Sequence, residues 1–380
     1  MVNYFLSFDY PSEENKMNRF QRILGVAASS LVALVALGAA APACAQTRVS
    51  VGLNTPPGLI FAVEYLAVGQ GFFKQEGLDV ELVAFDGSGV VIPQIAQQRV
   101  LIGRGNADVV ILSRQAGRSP LPLRCFYNVV RRSAFEFIVP EASPIRAIGD
   151  IKGGKKVGVI SLAAGNLPAT RALLAEAGLK QGTDFEFVAV GTGAIAVRTF
   201  ATGQIDVLNL WDAEHVGVEL AGNRIRQIPQ PAKFSDQVSS CWMAHEDVIR
   251  DKTDVLARFG RAFAKASYAC QANWPFCVKN FYAMNLGARP TAGTEAEQIE
   301  KGVKIMRSRV DKFFHTPPGV PLRMGEFQES SIRDSLDILA AGGQIASKDI
   351  PMGVIFTNEL VGEINKFDIK SVTDTAKAWK

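Results

Sequence analysis

Polar turns that close apolar stretches carry what chemistry this sequence offers. The first candidates are Asn54-Thr55-Pro56-Pro57-Gly58, Gly87-Ser88-Gly89 and Ser113. A second set is Ser161, Gly165-Asn166, Thr192 and Trp211-Asp212. Most of these lead into stretches with helical spacing. The first turn of a helix has unpaired N–H groups and a partial positive charge, so such turns suit carboxylate, sulfonate or phosphate. Ser88, Asn166 and Thr192 also read as plain helix caps, worth about 1 kcal/mol each. The glycines also read as ordinary strand-to-helix turns. Trp211 would stack on a planar ligand or line an apolar pocket, with a place in the core as the rival reading. Asp212 reads first as the cap of a helix over 213–221, and second as an acceptor for a ligand amine. Glu214 and His215 fall on that helix and read as a solvated face.

Several function classes are excluded by what surrounds these turns. No Gly-x-Ser-x-Gly or Ser-His-Asp arrangement is present, and three histidines with scattered cysteines offer no metal cluster. The formal charge is +4, without a basic run interleaved with aromatics, which argues against nucleic acid. No cofactor motif is legible.

The elements that must position these turns are announced by an internal repeat. Residues 79–89 read DVELVAFDGSG, and 184–193 read DFEFVAVGTG. Each alternates apolar and polar residues and ends in a glycine-bounded turn, the pattern of a strand. Helical stretches follow over 90–100 and 194–202. A second match sets Gly105-Asn106-Ala107-Asp108-Val109 against Gly203-Gln204-Ile205-Asp206-Val207. In both copies the glycine is expected to close the helix and the apolar run 109–112 or 207–210 to form a strand. Strand–helix–strand units of this kind build parallel sheets with right-handed crossovers. Further units lie upstream of each copy, over 48–77 and 156–178. The expected architecture is therefore α/β with two similar lobes. In open parallel sheets ligands sit beyond the carboxyl ends of the strands, where all the turns above fall.

The remaining third is helical over 253–273, 295–314 and 324–341, and is expected to complete the first lobe. Crossings between lobes are expected near 135–140 and 231–239. The lobes would then be 46–135 with 240–380, and 136–239.

The amino-terminal 45 residues read as a leader. Met17 opens a short basic head, an apolar run spans 23–37, and Ala43-Cys44-Ala45 supplies a small-residue cleavage site. Residues 17–45 are thus expected to be a signal peptide cut after Ala45, with Met17 as the start. A lipid-anchored Cys44 is the alternative. An oxidising compartment permits disulfides. Cys270 and Cys277 flank Trp274-Pro275, where the chain can fold back, so they are bridged or remain buried thiols.

One segment, Tyr65-Leu-Ala-Val-Gly-Gln-Gly-Phe-Phe-Lys-Gln-Glu-Gly-Leu-Asp-Val-Glu-Leu82, resembles the start of the NMT1/THI5-like and sulfonate/nitrate/taurine solute-binding proteins. Ile148-Gly-Asp-Ile-Lys-Gly-Gly-Lys-Lys-Val-Gly-Val159 is similar to the beginning of their second lobe. The resemblance runs roughly from Val49 to Trp274. It implies a type II periplasmic-binding-protein fold, with two Rossmann-like lobes, two hinge strands and a small molecule held in the cleft. It also implies a periplasmic monomer that delivers its ligand to a membrane permease and ATPase of an ABC importer, and no catalysis. The alternative is a THI5-like or chorismate-dehydratase-like enzyme on the same fold. One departure is Phe61, which stands where pyrimidine-related members tend to carry histidine. It disfavours a pyrimidine and suits an aromatic or alkyl anion such as a sulfonate or carboxylate.

Overall fold

The computed structural model describes residues 46–380, so the expected signal peptide and Cys44 lie outside the described residues. The strands among them are β1 (Thr47–Leu53), β2 (Leu78–Ala84), β3 (Ile102–Gly105), β4 (Leu123–Val130) and β5 (Phe137–Pro140). There follow β6 (Lys155–Val159), β7 (Phe185–Ala189), β8 (Val207–Leu208), β9 (Ile225–Ile228) and β10 (Ser240–His245). They form two five-stranded sheets, ordered β2-β1-β3-β10-β4 and β7-β6-β8-β5-β9. In each sheet three strands are parallel, and an antiparallel strand that arrives from the other sheet lies fourth. The two sheets are thus two copies of one plan.

The repeat is real, but its second match is out of phase. Ile102 in β3 pairs with Val51 in β1 as Val207 in β8 pairs with Val157 in β6. The expected strand over 109–112 is instead part of the helix Ala107–Ser113, and Gly105 ends a strand rather than a helix. A four-residue apolar run has no readable period, and the true strand is disguised by its Gly-Arg-Gly sequence. The structural counterpart of Gly203 is Gln98. Both hold left-handed backbone, with φ of 54° at Gln98 and 69° at Gly203. Arg99 N–H donates to Gln94 C=O at 2.8 Å, and Gln204 N–H donates to Thr199 C=O at 3.1 Å. A side chain in this conformation is strained. Replacing Gln98 by Gly should raise unfolding free energy by about 0.5–1 kcal/mol, read by denaturant melts; a loss of stability would contradict it.

The chain passes between the sheets twice, after β4 and after β9. The two crossing segments run together: Ser133 N–H donates to Ser235 C=O at 2.8 Å, and Ser239 N–H to Val130 C=O at 3.0 Å.

The helix Thr253–Ala272 buries one face under the first sheet, where Phe259 stacks on Phe73 at 5.1 Å and meets the edge of Trp242 at 5.3 Å. Two other late helices depart from expectation, because they also reach the second half. Glu295–Val310 packs on the helix Asp212–Leu220. Gly342, just past Glu329–Ala341, lies so close to Ala172 that a Cβ there would come within 2.2 Å of its Cα.

Cys270 and Cys277 are bridged, across the break that Asn273 makes between two helices. A second disulfide joins Cys125 on β4 to Cys241 on neighbouring β10, 116 residues apart. The loop-entropy account gives such a long closure about 5 kcal/mol. Sequence could not pair them, since the whole second half of the repeat intervenes. No helix among the described residues is long and apolar enough to cross a membrane.

Candidate functional site

Between the sheets lies a chamber of about 510 Å³, mouth included, at the carboxyl ends of β1, β3 and β6. Asn54, Thr55, Phe61, Gly87, Ser88, Gly165, Asn166 and Trp211, all expected at the site, line it. Strand ends and helix starts converge here because each parallel strand hands its chain to a helix at the same edge. Ser88 is 2 % exposed; its hydroxyl donates to Asn106 Oδ1 at 3.2 Å and accepts from Asn54 Nδ2 at 3.3 Å. Gly165 reaches across from the second sheet and touches Ser88 and Asn106, so the chamber is closed at this edge. Gly89 meets Ala163 in the same contact. Asn166 caps nothing; its amide donates to Thr170 Oγ1 at 3.2 Å and to Asn209 Oδ1 at 3.4 Å.

Pro56 and Thr192 stand at the outer mouth, with Thr55 and Trp211 between mouth and chamber. Trp211 is 7 % exposed and meets Phe135 edge to face at 6.5 Å, so it is both wall and core. Ser161 lies at the end of β6 but outside the chamber lining.

Three expectations are corrected. Ser113 ends a helix and binds Val110 C=O and Leu121 N–H, away from the cleft. The run before it is helical, so its end faces another direction. Asp212 does not line the chamber. It accepts from Ala213 N–H at 2.8 Å, from Arg309 Nη2 at 2.8 Å and from Lys312 Nζ at 2.8 Å, which leaves little for a ligand. Burial raises the Asp212 pKa, but the two cations outweigh it and hold the carboxyl below its ordinary value. His215 is not on a solvated face, and Glu214 is half-buried. His215 is 4 % exposed and accepts Leu210 N–H at Nε2, while Glu214 accepts Gly193 N–H at 2.6 Å. The helix 295–310 packs on their helix, of which Asp212, Ala213, His215 and Val218 are buried.

The groups that sequence reasoning missed are the charged ones. Arg104 and Arg309 both line the chamber. Arg104 is 1 % exposed, with Nε donating to Ser240 Oγ at 3.0 Å and Nη1 paired to Glu64. Its guanidinium stands 5.2 Å from the Phe61 ring, 5.7 Å from Trp242 and 5.5 Å from Phe313. Nη2 has no partner among the described residues. Burial lowers its pKa to about 10, still charged at neutral pH, and burial likewise raises that of Glu64. The available signal was a lone Arg inside an apolar segment, Leu101-Ile-Gly-Arg-Gly-Asn106, in the very stretch misread as a helix end.

The sequence model of the NMT1/THI5-like family matches residues 60–274. The chain belongs to that family. No curated protein matches the sequence. Solved structures give the fold independently. The alkanesulfonate-binding protein SsuA from Xanthomonas axonopodis pv. citri, bound to MOPS, is 14 % identical with a TM-score of 0.59, covering 82 % of this chain and 99 % of that one. The periplasmic aliphatic sulphonate binding protein SsuA from Escherichia coli is 16 % identical at a TM-score of 0.57, covering 80 % and 94 %. The desulfurization enzyme DSZB shares the fold at 14 % identity and a TM-score of 0.52, covering 84 % and 99 %. With its two sheets in these strand orders, this member of the NMT1/THI5-like family has a periplasmic-binding-protein fold.

Proposed function

We propose that this chain is an exported solute-binding protein that closes on a small organic anion and delivers it to the permease and ATPase of an ABC importer. The observation that carries this reading is Arg104. It is a buried cation with one free Nη2, held among aromatic rings in a chamber closed between two sheets. Arg309 and the starts of the helices Ser88–Ala96 and Leu167–Glu176 add positive potential at the same place. Phe61, Ile60, Phe135 and Trp211 supply apolar walls, which suit an alkyl or aryl sulfonate or carboxylate. The signal-peptide pattern and the sulfonate-binding neighbours support the same conclusion.

The mechanism is domain closure. Ligand bridges loops of both halves, the paired crossing segments absorb the backbone change, and the closed form gains population by its differential affinity. Lobe boundaries at 135/136 and 239/240 and a monomeric state belong to this reading.

Native mass spectrometry of residues 46–380 from a periplasm tests it, followed by calorimetry with alkane- and arenesulfonates and carboxylates. Bound or titrating anions support the proposal. A probe returned chemically altered would replace it with an enzyme reading, which the fold also admits. Trp211→Ala should weaken binding of a titrating arenesulfonate about tenfold or more. It should also cost about 3 kcal/mol of stability, because the ring is nearly buried. Unchanged affinity in the folded variant would remove Trp211 from the site.

A further inference from the structure

The two cations of the chamber are anchored from different halves of the molecule. Arg104 sits on β3 of the first sheet, and its anchors, Glu64 and Ser240 on β10, belong to the same half. Arg309 lies on the helix Glu295–Val310, which is fastened to that half as well. Met306 Sδ lies 3.6 Å from Cys270 Sγ, and Gly302 is pressed against Val278 and Tyr282. The anchor of Arg309 comes from elsewhere. Asp212 follows β8 of the second sheet and opens the helix Asp212–Leu220.

The contact between them is directional. Arg309 Nε donates to Asp212 Oδ1 at 3.0 Å and to Oδ2 at 3.2 Å, and Nη2 stands 2.8 Å from Oδ1. A planar guanidinium held by its Nε–Nη2 edge turns Nη1 away from the carboxylate. Arg309 lines the chamber, and Nη1 donates to no protein group among the described residues. The carboxylate is itself fixed. Ala213 N–H donates to Oδ1 and Lys312 Nζ lies against Oδ2, each at 2.8 Å. Lys312 also donates to Ser133 C=O in the first crossing segment at 3.0 Å. An arginine held in this way gives up little rotamer freedom when an anion arrives. A carboxylate beside a cation also weakens the positive potential offered to that anion. The two effects have opposite signs, so experiment can separate them.

We propose that Asp212 is a positioning residue: from the second half it turns Arg309 of the first toward the chamber, so that both halves assemble the anion site. This rests on the anion reading of the same chamber. It divides the labour between the cations. Arg104 is oriented by its own half alone, whereas Arg309 owes its orientation to the half that arrives from across the cleft.

The test is calorimetry on residues 46–380 with hexanesulfonate, benzenesulfonate and benzoate, using whichever binds the wild type most tightly. Asp212→Asn should bind about tenfold more weakly, as should Arg309→Met. The double variant should fall within about twofold of Arg309→Met, because Asp212 acts through Arg309. Arg309→Lys keeps the charge and the ion pair but lacks the planar fork, and should bind within about threefold of Arg309→Met. If Asp212→Asn is too unstable to titrate, the cycle is run in Lys312→Met, where a cation leaves with the anion. Equal or tighter binding by Asp212→Asn would overturn the proposal, since the carboxylate would then only neutralise Arg309. Wild-type affinity in Arg309→Lys would overturn it too, because the contact would only latch the halves. Losses that multiply in the double variant would place the action of Asp212 elsewhere and sink it as well. Full affinity in Arg309→Met overturns this proposal and leaves an anion held by Arg104 standing. A wild type that binds none of the three anions sinks both.

Discussion

Arg104→Gln loses about 3–5 kcal/mol of unfolding free energy, the cost of stranding Glu64 without its cation in a buried site. Glu64 is fully enclosed, and one of its carboxylate oxygens already lacks a partner. Burial raises its pKa even with Arg104 present, so loss of the guanidinium removes the main force that opposes this. Stability loss would by itself obscure any effect on binding. The double variant Glu64→Leu with Arg104→Met separates the two. Phe61, Trp242 and Phe313 already surround the guanidinium, so an apolar pair fits the cage and should restore stability to within about 1 kcal/mol of wild type. It should nevertheless bind alkanesulfonates at least about tenfold more weakly. A single variant as stable as wild type would contradict the buried-pair account. A double variant with full affinity would show that Arg104 is not the anion's partner.

Gly165→Val abolishes closure while leaving the two halves folded. A Cβ at Gly165 would lie 2.8 Å from Ser88 Cβ, Ser88 Oγ and Asn106 Oδ1, all on the opposite side of the cleft. Asn106 cannot retreat easily, because its amide donates to Ser239 C=O at 2.6 Å. Gly165 is not in left-handed backbone, so a β-branched residue meets no local strain there. The clash exists only when the halves meet, and the variant therefore acts on the open–closed equilibrium. Affinity for a titrating anion should fall by about a hundredfold, and ligand-induced compaction in small-angle scattering should vanish. Ligand-free melting should move by about 1 kcal/mol or less. A variant that still binds and compacts like wild type would show that the Ser88–Gly165 contact does not report closure.

The family and the α/β architecture were legible because they depend on local pattern. Alternating strands ending in glycine turns, a repeat about a hundred residues long and the 65–82 segment all survive as written in the chain. The positions of Ser88, Asn166 and Trp211 followed from one rule about strand ends. Failures came where local pattern is ambiguous. An apolar run of four residues at 109–112 fits helix or strand equally, and the left-handed residue that ends the preceding helix is Gln98 rather than a glycine. That slip of register hid β3, and with it Arg104 and Asn106.

Sequence by itself determined the strand–helix alternation, the doubled plan and the polar turns, since these arise from neighbours in the chain. Only the tertiary structure decided which charges meet. Arg104 and Glu64 are 40 residues apart, Arg309 and Asp212 are 97 apart, and Cys125 and Cys241 are 116 apart. No spacing rule connects such pairs. Their partners are selected by burial, which makes a charge so costly in isolation that the fold brings another to it.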